Sequence, residues 1–192
     1  MVRGQSALEQ LQTLGYSPDD VEFVIVSCLY FDHAGGLKYF PRAQVVVQSD
    51  ELQEAYWPTI GRRAIVGEDA YQKRDLDGVR HFRFVFPDTY DLDLFHDGSV
   101  TVMRAPCHAR GEQALLVRLK NTGSVLLPAG VIPQRKNYEE DIITGRLMVS
   151  PDEAMRNVLR LKRIAEDEKA TVFFHHDLEA WQTYRQAPAF YD

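Results

Sequence analysis

The chain predicts an α/β fold, and three features carry that expectation. Short apolar runs at residues 23–26, 43–48 and 171–174 have the length and β-branched content of buried strands. Capped stretches with helical periodicity lie between and beside them. From about residue 81 to 127 the pattern becomes a series of short strands separated by turn residues, a sheet-rich stretch.

Taken in order, Ser6-Ala7-Leu8-Glu9 has capping-box spacing, Leu8, Leu11 and Leu14 recur at helical intervals, and Gly15 suits the left-handed residue beyond a helix end. Ser17-Pro18-Asp19-Asp20 turns the chain into the strand at 23–26, expected to be covered on both faces. A second strand at 43–48 leads to Ser49 or Asp50, either of which can cap a helix running towards Trp57-Pro58. Strands follow at 81–86, 91–95 and 99–105, with His96-Asp97-Gly98 as a hairpin turn. Residues 114–119 and 124–127 pair around Lys120-Asn121-Thr122-Gly123. Ser150-Pro151-Asp152-Glu153 supplies a cap, a proline at the first helical position and a glutamate at the third. Ala154, Val158, Leu161 and Ala165 then mark one buried face. The strand at 171–174 delivers His175-His176-Asp177 at its carboxyl end.

With 192 residues and no repeat or linker, residues 1–192 read as one domain. Lysine plus arginine number 22 and acids 28, so the net charge is 22 − 28 = −6, and the scattered basic residues argue against nucleic acid as a partner. No apolar run approaches the ~18 residues of a membrane span, and MVRGQSALEQ has no signal-peptide core, so a cytoplasmic protein is expected. Cys28 and Cys107 are too few for a disulfide framework, although the fold could still pair them.

Two strands end in histidine-bearing loops, and a third histidine lies between them in Ala105-Pro106-Cys107-His108. Asp32, His33, His108 and His176 are therefore four candidate metal ligands from three segments. Any one of these histidines on its own reads first as a surface or hydrogen-bonded core residue. Asp32 has a structural alternative too, as a hydrogen-bonding partner of the tight Ala34-Gly35-Gly36 loop.

The segment Ser27-Cys28-Leu29-Tyr30-Phe31-Asp32-His33-Ala34-Gly35-Gly36 resembles Ser-His-Leu-His-Phe-Asp-His-Ala-Gly-Gly, the HxHxDH signature of metallo-β-lactamase-fold N-acyl homoserine lactonases. Residues 105–113 are similar to that family's Thr-Pro-Gly-His-Thr-Pro-Gly-His-Gln, and Phe173-Phe174-His175-His176-Asp177 to its Phe-Phe-Gly-His-Asp. The likeness extends over nearly the whole chain. It implies an αβ/βα sandwich whose usual first strands are missing at the amino end. It also implies a quorum-quenching hydrolase that opens lactones at a pair of metal ions.

Carried over by position, Asp32, His33 and His176 match the ligands of one metal, and His108 matches one ligand of the other. Cys28 and Tyr30 stand where two motif histidines belong, Gly130 replaces the bridging aspartate, and Glu112 and His175 replace a histidine and a glycine. Cys28, Tyr30 and Glu112 are thus altered ligand candidates. Two adjacent cations need anionic bridging, which glycine cannot give, so at most one ion is expected. A thiolate or imidazole set favours zinc, and a phenol ligand suits iron. The leading expectation is a lactonase-like protein with impaired or lost hydrolysis. It keeps one ion at Asp32, His33 and His176, with Asp32 as the catalytic carboxylate. The alternatives are an active one-metal hydrolase of lactones or esters, and a non-catalytic binding protein. Missing strands would leave apolar surface exposed, which predicts a homo-oligomer.

Overall fold

A computed structural model describes residues 6–56, 70–79, 82–87, 90–145, 147 and 149–192. Helix α1 (Ala7–Thr13) begins at the predicted capping box, with the Ser6 hydroxyl accepting the Glu9 N–H at 3.2 Å and the Glu9 carboxylate accepting the Ser6 N–H at 3.1 Å. Gly15, at φ +85°, takes the left-handed turn beyond it.

Strands β1 (Phe23–Ile25), β2 (Gln44–Val46) and β3 (Arg83–Val85) form one parallel sheet in that order. Val45, Val46 and Val47 are completely enclosed, as expected for a central strand, whereas β1 is only half-buried. It lies at the sheet edge, where one neighbour rather than two shields it. Helices α2 (Phe31–Ala34), α3 (Ser49–Tyr56) and α4 (Lys73–Asp77) make the connections. The expected helix end at Trp57-Pro58 and the strand start at His81 lie outside the described residues. Because β3 pairs parallel to β2, it belongs to this first sheet, whereas antiparallel pairing begins with the strand at residue 91. A parallel pair needs a long crossover, which the stretch holding α3 and α4 provides.

The second sheet runs β4 (Asp91–Asp93), β5 (Val100–Arg104), β6 (Gln113–Leu119), β7 (Gly123–Leu127), β8 (Thr171–Val172), antiparallel until β8, which joins β7 in parallel. At the predicted hairpin, His96 and Gly98 both adopt positive φ, and the Asp93 carboxylate accepts the Gly98 N–H at 2.9 Å. Helices α5 (Arg135–Glu139), α6 (Pro151–Asp167) and α7 (Leu178–Thr183) complete the fold. Ser150 caps α6, and Ala154, Val158, Leu161 and Ala165 are buried in one core with Met103, Leu116 and Leu126 of the sheet. The last strand is shorter and less covered than expected, two residues at a sheet edge, with Phe174 buried beyond its end.

Gln113 ties the two sheets together. Its buried side-chain amide donates to the carbonyls of Val26 at 2.7 Å and Val46 at 2.9 Å, and accepts from Gln48 at 3.0 Å. Its own N–H donates to the Ser27 carbonyl at 3.0 Å. These bonds hold the carboxyl ends of β1 and β2 against the start of β6, so the loops that follow β1 and β5 converge on one edge of the molecule.

Candidate metal centre

Four loops meet at that edge. Residues 27–30 follow β1 and lead into α2, which carries Asp32 and His33; residues 105–112 follow β5; 128–134 follow β7; and 175–177 follow β8. The last two are locked to each other. The His176 N–H donates to the Pro133 carbonyl and the Gln134 side chain donates to the His176 carbonyl, both at 3.1 Å. Asp177 caps α7 by accepting the Ala180 N–H at 2.9 Å and also accepts the Arg135 N–H at 3.0 Å.

Ring nitrogens of His33, His175 and His176 all lie within 4.8 Å of one another. Asp32 Oδ2 is 3.6 Å from Nε2 of both His33 and His176. Asp32 thus faces the two imidazoles. Ser27 Oγ sits 2.7 Å from His33 Nδ1, which leaves Nε2 as the nitrogen turned to the carboxylate. Burial lowers the pKa of His33, with Asp32 opposing it. Desolvation, then the neighbouring imidazoles of His176 and His33, lowers that of His175, although part of this residue remains exposed. Neutral imidazoles keep the lone pair that a cation requires.

The other predicted residues are arranged differently. Cys28 is wholly buried and packs with Tyr30 and Ala109. The Tyr30 hydroxyl donates to the His108 carbonyl at 3.1 Å, and its ring meets the His108 ring edge-on at a centroid distance of 5.1 Å. Burial raises the pKa of both the Cys28 thiol and the Tyr30 phenol, holding them in the protonated state. Cys107, pushed to about 12 by burial, and Cys28 are free thiols, so the pairing that the sequence left open does not form. Among the described residues, the three donors that come together are His33, His175 and His176; Asp32 approaches two of their rings at 3.6 Å but stands outside that group, and Cys28, His108 and Glu112 join none.

Glu112 is completely buried. Its Oε2 accepts N–H bonds from His108 at 2.9 Å and Ala109 at 3.2 Å, while Oε1 lies without a hydrogen-bond partner against the Gly130 backbone. A Cβ on Gly130 would stand 2.3 Å from that oxygen. Glu112 therefore fills the space that a side chain at 130 needs, and the two departures from the lactonase pattern are one packing exchange. Desolvation pushes the Glu112 pKa to about 8.

Sequence reasoning missed Glu51. Completely buried at the start of α3, its carboxylate accepts the Leu29 N–H at 2.8 Å, the Tyr71 hydroxyl at 3.0 Å and the Gly111 N–H at 3.1 Å, so it joins the loop after β1 to the loop after β5. Gly111 is required for this approach, because a Cβ there would lie 2.3 Å from the Glu51 nitrogen. An acid in a helical first turn is common in any sequence, and nothing local betrayed this role. Glu51→Ala strands three buried donors and is expected to destabilise the protein by about 3 kcal/mol, read from the urea midpoint; a loss under about 1 kcal/mol would disprove the bridge.

Beside the cluster lies a cavity of about 220 Å³, with Ile25, Leu115, Leu127 and Phe173 as apolar walls and His33 and His175 at one side.

Two sheets bearing helices, with an Asp-His pair opening α2 and further histidines on loops at strand ends, define the metallo-β-lactamase fold. The chain belongs to the N-acyl homoserine lactonase family: it is 34% identical over 192 residues to the N-acyl homoserine lactonase AttM of Rhizobium radiobacter, a match covering 98% of this chain and 70% of that protein. It superposes with a TM-score of 0.81 and 28% identity on an N-acyl homoserine lactone hydrolase solved with the product N-hexanoyl-L-homoserine at its catalytic metal centre, covering 100% of this chain and 70% of that one. A putative metallo-β-lactamase from Thermotoga maritima matches with a TM-score of 0.61 and 26% identity, over 88% of this chain and 73% of that one. No family model matches the chain.

Proposed function

We propose that this protein is a divergent one-metal member of the lactonase family, directed at N-acyl homoserine lactones or related esters, with hydrolysis far weaker than in a dinuclear relative. The observation that carries this reading is the exchange at 112 and 130. Where the family resemblance places a bridging aspartate there is glycine, and the room beside it is taken by a buried carboxylate already holding two N–H groups. Cys28 and Tyr30 add no open donors, since both are buried and protonated.

The remaining donor set suits one divalent cation. Asp32, His33 and His176 would hold it, and two imidazoles with a carboxylate are a donor set that catalytic zinc sites use. When bound, such an ion supplies Lewis acidity to an ester carbonyl and to water. The protein's own groups do the positioning: Ser27 holds the His33 ring at Nδ1, the Pro133 and Gln134 bonds fix the His176 backbone, and the Asp32 carboxylate lies 3.6 Å from Nε2 of both rings. The apolar cavity offers room for part of an acyl group.

Elemental analysis of protein purified without chelator, combined with a homoserine-lactone assay, tests this. Expected are one equivalent of metal, its loss in His176→Ala, near-wild-type content in Cys28→Ser, and hydrolysis at least about a hundredfold below a dinuclear relative, or ~3 kcal/mol of lost transition-state stabilisation. Two equivalents, or turnover at the relative's level, would overturn the proposal. Metal-free wild type would favour a binding protein that kept only the fold.

A further inference from the structure

We infer that His175 is a fourth ligand, which closes the single-ion site formed by Asp32, His33 and His176. The inference rests on the one-metal reading above and concerns a residue that stands at a glycine position in the resembling lactonase segment.

Geometry supports it. Four ligands at zinc distances of ~2.0–2.1 Å in a tetrahedron lie about 3.4 Å from each other. The three imidazoles have nitrogens within 4.8 Å of one another, and Asp32, outside that group, has Oδ2 3.6 Å from Nε2 of both His33 and His176, so an ion held by the histidines draws the carboxylate in from one side. Consecutive residues of a regular strand point to opposite faces and could not share an ion. His175 and His176 escape this because β8 ends at Val172. Their rings lie side by side at 4.2 Å, and His175 also meets the His33 ring at 5.2 Å.

The chemical consequence concerns the open position. A catalytic zinc site offers three protein ligands and leaves the fourth for water or substrate, whereas four protein ligands make a closed, structural-type site. Asp32, His33 and His176 would leave that position free; His175 takes it. The side chain thus trades turnover for tight binding of the ion, and it predicts weak hydrolysis on a ground separate from the missing second metal.

The test uses the full chain loaded with cobalt(II) or zinc, comparing wild type, His175→Gly, His175→Ala and His176→Ala. Wild type should take up one cobalt with the intense visible bands of four-coordinate ion. His175→Gly and His175→Ala should bind zinc about ten- to a hundredfold more weakly in competition with a chromophoric chelator. Their cobalt spectra should shift to the weaker bands of a water-bearing, higher-coordinate ion, and lactone hydrolysis per bound metal should rise. Because His175 is partly exposed, both variants should keep the wild-type unfolding midpoint in the metal-free state, and if one fails to fold the other decides. Unchanged affinity and spectrum in the folded His175 variants, with metal lost in His176→Ala, would overturn the role of His175 while leaving the one-metal reading intact. A wild-type chain that binds neither ion would overturn both.

Discussion

Gly130→Asp is expected to be among the most damaging single substitutions in this protein, costing roughly 4 kcal/mol or more, although it restores the residue that the lactonase pattern places there. The new Cβ would stand 2.3 Å from Glu112 Oε1, a distance that real Cβ atoms essentially never show, and in tight contact with Glu112 Cδ at 3.3 Å. Glu112 cannot retreat cheaply, because its other oxygen holds the His108 and Ala109 N–H groups and the residue has no exposed surface. A second carboxylate would also enter a site that already disfavours the charge of the first. Pairing the change with Glu112→His should recover most of the loss, giving strong non-additivity in urea or thermal unfolding. Additive effects of the two substitutions would show that positions 112 and 130 are not one exchange. The double variant still lacks histidines at 28 and 30, so a second metal is not expected to return with the stability.

Glu112→Gln should raise stability at alkaline pH and leave it nearly unchanged at mildly acidic pH. The carboxyl titrates at about 8 in the folded protein against an ordinary value of 4.5. Between those values the folded state holds a proton that the unfolded state has released, so wild-type stability falls as pH rises, by about 1.4 kcal/mol per pH unit from this group, and levels off above the folded pKa. The accumulated difference is roughly 5 kcal/mol by pH 9. Glutamine can keep an oxygen for the two N–H bonds and has no charge to bury. Denaturant midpoints of wild type and Glu112→Gln should therefore coincide near pH 5 and separate progressively towards pH 9. Parallel pH profiles would mean that Glu112 is already ionised in the folded protein at neutral pH.

Much of the fold was legible because it depends on short-range patterns. The Ser6–Glu9 box, the Ser150 cap, the buried face of α6 and the turn around His96-Asp97-Gly98 each follow from residues within a few positions of one another. Strand existence was likewise written in the apolar runs, and the converging loops with Asp32, His33 and His176 were marked by their motifs. Partnership was not. Whether β3 pairs parallel to β2 or opens the antiparallel sheet, and whether β1 and β8 lie inside a sheet or at its edge, depends on contacts between segments tens of residues apart, and an apolar run reads the same in either place.

The sequence by itself determined an α/β chain of the lactonase family in which glycine, cysteine and tyrosine have replaced residues of the two-metal pattern. Only the tertiary structure decided what those replacements do to one another. Glu112 reads locally as a polar loop residue and Glu51 as an ordinary first-turn acid. Folding buries both and aims them at backbone N–H groups from distant loops, because a carboxylate removed from water must find its hydrogen bonds inside the protein. The place of His175 beside His33 was equally hidden. It depends on where β8 stops and how the chain is pinned to Pro133 and Gln134, and therefore on packing across the sheet, which no local pattern encodes.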